Sequence, residues 1–192
     1  MARSTDQQSK AERQASRRLA QTLGKFIALV LVLALVLLIE RYCTVQMPPF
    51  GPGAKITSID GDTLKAANGE EYRLFGIDAP ELKQTCTEPN GKSWLCGRAA
   101  KAKLTTILNR GNVNCEERSQ DRFGRIVAIC SAEGVPDIGE AMVRDGYAID
   151  LGGAAGHRYQ EAEEEAKAAK RGIWRGSFEL PSEWRAANPA AE

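Results

Sequence analysis

Apolar residues divide the chain into one continuous apolar run and a longer part with short, regular patterns. The run FIALVLVLALVLLI contains no Gly or Pro. Five later segments alternate or are β-branched, which is typical of strands: AKITSI, DTLKAA, EEYRLFG, VNCEE and RIVAICS. Three segments have helical spacing and end at a Gly: GRAAKAKLTTILNRG, PDIGEAMVRDG and RYQEAEEEAKAAKRG. A helix between the third and fourth strands predicts an α+β, mainly β fold, a five-stranded OB-type barrel with about three helices.

The apolar run predicts a transmembrane helix ahead of this domain. If Lys25 and Arg41 extend their charged ends to the membrane surface, the segment covers residues 23–42, about 30 Å at 1.5 Å per residue. The alternative is the hydrophobic region of a cleaved signal peptide, although no small-x-small cleavage site follows the run. Because basic residues precede the run, the positive-inside rule predicts a single-pass protein of the inner (plasma) membrane. Its amino terminus would be cytoplasmic and its main domain periplasmic or extracellular.

Five regions are expected along the chain. Residues 1–22 are polar and charged without apolar periodicity, which is typical of a disordered tail. The anchor at 23–42 is followed by a linker at 43–53 that contains MPPFGPG. Residues 54–175 form the predicted folded domain, and 176–192 form a C-terminal extension.

Composition permits a hydrophobic core and excludes binding through bulk positive charge. The chain has 192 residues, of which 43% are hydrophobic, and a formal net charge of +1. Residues 1–43 hold seven Lys or Arg against three Asp or Glu. The rest of the chain is therefore net acidic, and it does not bind a partner through overall positive charge.

Four of the five cysteines lie in the predicted exported part, where disulfides persist. Four cysteines allow three pairings, and local symmetry favours one of them. A Pro-Asn-Gly turn lies midway between Cys86 and Cys96, and a predicted hairpin loop lies midway between Cys115 and Cys130. A zinc site is the alternative, but the chain has no CxxC pair and one His. Cys43 is expected to be free or to pair with another chain.

Acidic residues gather around a predicted hairpin. The Asn-Gly pair at 68–69 predicts a two-residue type I′ turn, which places Leu64 opposite Arg73 and Asp62 opposite Phe75. Cross-strand and diagonal neighbours lie within reach of long side chains. The sequence therefore predicts contact between Asp62 and Arg73.

The segment IDAPE follows the second strand of this hairpin. Pro80 keeps Ala79 extended and has no N–H to donate, so carbonyl groups of this turn are expected to remain available. Two carboxylates, a carbonyl and water form a hard-oxygen site suited to Ca²⁺ or Mg²⁺. Glu81 would remain nearby for proton transfer.

The motifs DGDT, YRLFGIDAPE, DRFGR and GIW occur in this order. Across residues 54–175 they resemble the staphylococcal-nuclease-like (thermonuclease) family, and the cysteine-bearing insert is similar to its exported bacterial branch. The resemblance implies a Ca²⁺-dependent phosphodiesterase, an endonuclease that hydrolyses single-stranded DNA or RNA on an OB barrel. No segment indicates a protein partner.

The resemblance also implies a set of site residues. Asp62 and Asp78 would ligate the metal, together with the carbonyl of Ala79, which replaces the Thr common in the family. Glu81 would act as general base on the attacking water. His157, the one His of the chain, lies beside the third predicted helix and is expected to be a surface or helix-start residue.

Other matched residues would contact the substrate or support the metal. Arg73 and Arg125 would hold the phosphate and stabilise the charge that builds in the transition state. Arg122 would contact a terminal phosphate, and Asp60 would support the metal more remotely. Phe123 would either lie along the nucleotide or pack the hairpin.

The pattern departs from the family where its founding member stacks the substrate base on tyrosines. Here the stretch DLGGAAG at 150–156 has no aromatic residue before Tyr159, so substrate affinity is expected to be weaker. The competing interpretation is an inactive OB-fold module that binds nucleic acid or protein at the membrane surface. The presence of the matched acids and arginines favours the enzyme. Three aromatic residues near the end are expected to pack on the barrel: Trp174, Phe178 and Trp184.

Overall fold

The computed structural model describes residues 24–37 and 56–189. The chain divides into two compact units, Met1–Gln46 and Met47–Glu192, and helix α1 covers residues 24–37 of the first unit. Across the described residues, no helix is both long enough and apolar enough to cross a membrane. The predicted tail, both ends of the predicted anchor, the linker with Cys43 and residues 54–55 lie outside the described residues.

Five strands form the main sheet, in the order β1-β2-β3-β8-β7. Strands β3 and β8 run parallel, and the other neighbours run antiparallel. The five strands are β1 (Thr57–Ser58), β2 (Thr63–Lys65), β3 (Glu71–Leu74), β7 (Asn114–Gln120) and β8 (Ile126–Ser131). All five lie within the predicted segments or extend them by a few residues.

The predicted closed barrel is not found among the described strands. The sheet is open, with β1 at one edge and β7 at the other. Strand β1 has only two residues, which is too short to form full ladders with a neighbour on each side. The structure therefore has the predicted α+β, mainly β character and five strands in the main sheet, but not the closure.

Four further strands form two small sheets that the sequence pattern did not predict. They are β4 (Ile77–Asp78) with β9 (Ile149–Asp150), and β5 (Cys86–Thr87) with β6 (Ser93–Trp94). A two-residue strand is too short to show alternation. The β4–β9 pair matters most, because it fixes the backbone of Asp78.

Helices cover the sheet and form much of its core. The three predicted helices are α2 (Cys96–Leu108), α3 (Ile138–Arg144) and α4 (Gln160–Ala168), and a fourth, α5 (Pro181–Ala187), lies in the predicted C-terminal extension. Residues of the strands and of the helices share one buried cluster, which includes Leu64, Leu74, Leu104, Ile138 and Met142. Helix α2 follows β3 in the chain and precedes β7, as in the predicted arrangement.

The register of the β2–β3 hairpin differs by one residue from the prediction. Thr63, not Leu64, lies opposite Arg73. A type I′ turn needs positive φ at two consecutive residues, whereas here Gly69 alone takes this conformation, with φ of 91°. The loop therefore contains three residues, 67–69, and its Gly occupies the bulge position. The predicted two-residue turn was wrong.

Both predicted disulfides are confirmed. Cys86 pairs with Cys96 and joins β5 to the start of α2, while Cys115 pairs with Cys130, the residue directly opposite it on β8. Trp174 and Phe178 lie against the first disulfide in a small second core. This confirms that these two aromatic residues pack within the domain.

Candidate active site

The bend before β2 positions the first acids of the site. One carboxylate oxygen of Asp60 accepts hydrogen bonds from the backbone N–H groups of Asp62, at 3.0 Å, and Thr63, at 2.8 Å. Such local bonds are typical of Asp in turns. A Cβ on Gly61 would lie 2.7 Å from the Cβ of Ala79, so a Gly allows the bend to approach the IDAPE segment. Asp60 therefore shapes the turn that presents Asp62.

The Asp62 carboxylate is almost completely buried, with 2% of the residue exposed. Its Oδ2 accepts from the backbone N–H of Ala79 at 2.9 Å, and its Oδ1 accepts from the Thr63 hydroxyl at 3.1 Å and from Arg73. The predicted contact with Arg73 is present although the register was wrong. Asp62 lies in the bend before β2 begins, so the alternation of the strand does not set its direction.

Arg73 joins two buried carboxylates. Its Nη1 donates to Asp62, and its Nη2 donates to Asp78 Oδ1 at 2.9 Å. The Asp78 side chain is 1% exposed and that of Arg73 is 17% exposed. Because strand β4 holds Asp78 in place, the two acids and the guanidinium converge at the exit of β3.

Glu81 lies at the more open side of this cluster, with 23% of its side chain exposed. Its backbone N–H donates to Gln84 Oε1 at 3.0 Å. Gln84 is fully buried and donates through Nε2 to the carbonyl of Glu179 at 2.7 Å. This glutamine therefore links the segment of Glu81 to the C-terminal extension.

A second guanidinium in the cluster was not predicted. Arg185, on α5, donates from Nη1 to Asp78 Oδ1 at 3.0 Å and from Nη2 to Asp78 Oδ2 at 3.1 Å. Its Nη1 also donates to Glu81 Oε1 at 2.6 Å. The motifs carry no sign of this residue. The one available signal was the surplus of acids around Arg73, because buried carboxylates need cationic partners.

Electrostatics inside the cluster follow from burial and from this surplus of acids. Burial, opposed by Arg73 and reinforced by Asp60 and Asp78, raises the pKa of Asp62 to about 7. Desolvation works against the charged form of Arg185, but hydrogen bonds to Asp78 and Glu81 raise its pKa above the ordinary value. The cluster holds four carboxyl groups, those of Asp60, Asp62, Asp78 and Glu81. They face two guanidiniums, those of Arg73 and Arg185.

The donor chemistry of the site fits a divalent cation. The predicted ligands are the carboxylates of Asp62 and Asp78 and the carbonyl of Ala79, all hard oxygens of the kind that Ca²⁺ takes. Within residues 24–37 and 56–189, no group of three or more His, Cys, Asp or Glu side chains is arranged to hold a metal ion. The oxygens of both aspartates instead accept hydrogen bonds from guanidinium groups.

The DRFGR loop lies between β7 and β8 and is organised by Asp121. Its Oδ1 accepts from the backbone N–H groups of Phe123, at 2.9 Å, and Arg125, at 3.0 Å, and its Oδ2 accepts from Arg125 Nε at 2.7 Å. The structure thus places Arg125 against Asp121 and not against the acidic cluster. Arg73 pairs with Val127 of β8, and Arg125 lies in the loop just before this strand begins at Ile126.

Phe123 does not pack the hairpin, since 67% of it is exposed. Instead, the guanidinium carbons of Arg122 and Arg125 lie 4.7 Å and 5.4 Å from its ring centroid. Of the two alternatives for this ring, the packed one is therefore wrong. The loop presents a largely exposed aromatic ring with two guanidiniums close to it.

The side chains of His157 and Tyr159 contact acids that are not among those of the cluster. His157 is exposed, and its Nδ1 lies 3.1 Å from Asp150 Oδ2, which confirms the predicted surface position. Tyr159 is 3% exposed and its hydroxyl donates to Asp137 Oδ2 at 3.0 Å. Tyr159 is therefore a core residue and offers no exposed ring for stacking.

The sheet order and the buried carboxylate–arginine cluster define an OB-type domain with a polar site at the exit of its third strand. The chain belongs to the family described as Staphylococcal nuclease homologue, whose model matches residues 71–176.

Three relatives illustrate the similarity. The chain is 34% identical over 122 residues to the succinoglycan biosynthesis protein ExoI of Rhizobium meliloti (strain 1021), covering 63% of each chain. It is 33% identical to the probable endonuclease LCL3 of Paracoccidioides brasiliensis (strain Pb03), over 59% of this chain and 37% of the relative. It is 28% identical to the micrococcal nuclease of Shigella flexneri, over 72% of this chain and 83% of the relative. The chain thus spans less than two thirds of the length of the first two.

Proposed function

We propose that this protein is a Ca²⁺-dependent nuclease, a phosphodiesterase that cleaves DNA or RNA internally. One observation carries the proposal: Arg73 joins the buried carboxylates of Asp62 and Asp78, with Glu81 beside them. Membership of the staphylococcal nuclease family supports it. So do the names of two relatives, a probable endonuclease and a micrococcal nuclease.

Burial separates the roles of the acids. Hydrolysis of a phosphodiester requires neutralisation of the phosphate and removal of a proton from the attacking water. A cation held by Asp62, Asp78 and the carbonyl of Ala79 would supply the neutralisation. The Glu81 side chain is 23% exposed, against 3% for Asp62 and 1% for Asp78. Water therefore reaches Glu81 most readily, and its carboxylate is the proposed base.

Two arginines would hold the phosphate. Arg125 contacts Asp121 through Nε, which holds the stem of the side chain while its terminal Nη groups can donate to phosphate oxygens. Arg73, on β3, would supply the other guanidinium. Phe123 and Arg122 at the loop tip would contact the nucleotide, where a largely exposed ring beside guanidinium groups suits a base. Asp60 keeps a positioning role through the turn before β2.

The proposed place of action is outside the cytoplasm. Two disulfides within the domain support an oxidising compartment. The predicted amino-terminal anchor remains part of this proposal.

The test uses the full chain in its oxidised form with single-stranded DNA and, separately, RNA. We expect cleavage with Ca²⁺ and none after excess chelator. Glu81→Gln should lower the rate by roughly 10² to 10⁴, the usual contribution of general acid–base catalysis, with an unchanged melting temperature. Glu161→Gln removes an exposed acid of α4 and should cleave like the original. Nucleic-acid binding without cleavage would favour the inactive module and reject the proposal.

A further inference from the structure

Arg185 occupies both oxygens of a predicted metal ligand. The guanidinium donates to Asp78 Oδ1 at 3.0 Å and Oδ2 at 3.1 Å, and Oδ1 also accepts from Arg73 at 2.9 Å. A carboxylate has about four lone-pair positions, of which three are engaged here. A cation bound at these oxygens would lie within a few ångströms of a second positive charge, because the fork faces the same carboxylate edge. Arg185 and a divalent cation therefore cannot both bind Asp78 as Arg185 does here.

The helix that carries Arg185 has few other attachments. Helix α5 has seven residues, of which only Pro181 is buried. Leu180, just before it, is 40% exposed. The Gln84–Glu179 hydrogen bond holds the segment before the helix. Helices this short are marginal without tertiary contacts, so the ion pairs of Arg185 contribute much of what keeps α5 in place.

These contacts make docking of α5 and binding of a cation oppose each other. The acids that hold α5 include one that would hold the cation. A cation that binds Asp78 in place of Arg185 weakens the docking of α5. By linkage, docking of α5 lowers the affinity for the cation by the same factor. The chain thus carries its own positively charged competitor for the site.

We propose that Arg185 determines the affinity of the cation site: its guanidinium holds the place on Asp78 that a divalent cation must take, and cation binding releases α5. This inference rests on the proposed function, since it requires Asp78 to be a ligand. The contact with Glu81 is lost at the same step. Glu81 Oε1, which accepts from Arg185 in this structure, is then free to accept a proton from water.

The experiment titrates CaCl₂ into the full-length, oxidised protein by calorimetry without nucleic acid. Arg185→Gln removes the charge and should tighten Ca²⁺ binding between about 5- and 150-fold, the usual range for two linked sites. Arg185→Lys keeps the charge without the fork and should fall between this variant and the original. Glu183→Gln alters an exposed residue of the same helix and should leave the affinity unchanged.

Amide hydrogen exchange gives an independent reading. In the original protein, Ca²⁺ should speed exchange across residues 182–187, whereas in Arg185→Gln these amides should exchange fast with or without Ca²⁺. The amides of β3 and β8 serve as a check that each variant is folded. Equal Ca²⁺ affinity in the original and in both Arg185 variants would overturn the inference and leave the proposed function standing. Absence of Ca²⁺ binding in all of them would overturn both the inference and the proposed calcium dependence.

Discussion

Replacing Arg73 tests how much the fold depends on this guanidinium to keep the Asp62 carboxylate buried. The change Arg73→Ala leaves the Asp62 carboxylate, which is 3% exposed, without its guanidinium, while Asp78 keeps Arg185. Breaking a buried ion pair by removing one partner costs about 3–5 kcal/mol when the remaining charge stays buried. A proton on Asp62 can remove that charge, so the cost should depend on pH.

The sign of this dependence follows from the pKa of Asp62. In the fold it is raised to about 7, so its stabilising contribution is complete below the unfolded pKa and is lost as pH rises through about 7. Arg73 lowers this pKa, and its removal must raise it further. Below about pH 7, Asp62 is protonated in both proteins, and Arg73→Ala should cost only the hydrogen bonds, about 1 kcal/mol. The difference should then grow by up to about 1.4 kcal/mol per pH unit and reach about 3–5 kcal/mol near pH 9.

The assay is urea unfolding at pH 6 and pH 9 with disulfides intact and a chelator present. In an Asp62→Asn background, Arg73→Ala should cost about the same at both pH values, because the Asp62 carboxyl is gone and Asp78 keeps Arg185. Lys65→Ala is the control, since Lys65 pairs with Glu71 at the exposed surface of the same hairpin and should cost less than about 1 kcal/mol. An equal cost of Arg73→Ala at the two pH values would refute the reasoning, as would a pH-dependent cost that persists beside Asp62→Asn.

Three further substitutions test contacts that hold the domain and its site in place. Cys115→Ala with Cys130→Ala should lower the unfolding free energy in urea by about 3 kcal/mol, from the sequence separation of 15; an unchanged midpoint would contradict this. Gly97→Ala would drive a Cβ into the Glu81 carbonyl oxygen, so cleavage should fall at least about tenfold with near-native near-UV circular dichroism. Desolvation tends to raise the pKa of Asp121. Hydrogen bonds from the Arg125 guanidinium and from the backbone of the loop outweigh this and lower that pKa. Asp121→Asn should therefore reduce thermal stability above about pH 4 and match the original in stronger acid.

The elements with a long periodic pattern were predictable from the sequence. Helix α2 shows a repeating apolar stripe over 13 residues, and the apolar, partly β-branched run IVAICS marks β8 as a strand. The small sheets were not predictable, because β4 and β9 have two residues each and are stabilised by pairing across the fold. The position of Asp78 could thus be expected from its motif but not from local structure.

The hairpin shows how a correct contact can be predicted with the wrong register. An Asn-Gly pair suits a type I′ turn, but it also suits a type I turn followed by a Gly bulge. The choice between them depends on the φ of Asn68, which tertiary packing decides and which no residue pattern specifies. Asp62 reaches Arg73 in the structure because it precedes the strand, where side-chain direction is not tied to alternation.

Arg185 could not be found from the sequence for a different reason. Its hydrogen bonds join residues 107 and 104 positions apart, to Asp78 and to Glu81. The C-terminal extension is held by isolated contacts, such as the bridge between Thr87 and Ser177. Such contacts leave no periodic pattern in the sequence. Only charge balance pointed to it: four acids with one guanidinium cannot be buried together at low cost. That argument requires a second cation, and two candidates meet the requirement, a bound metal ion and a side chain of the chain itself. Their competition for Asp78 is what the calcium titration measures.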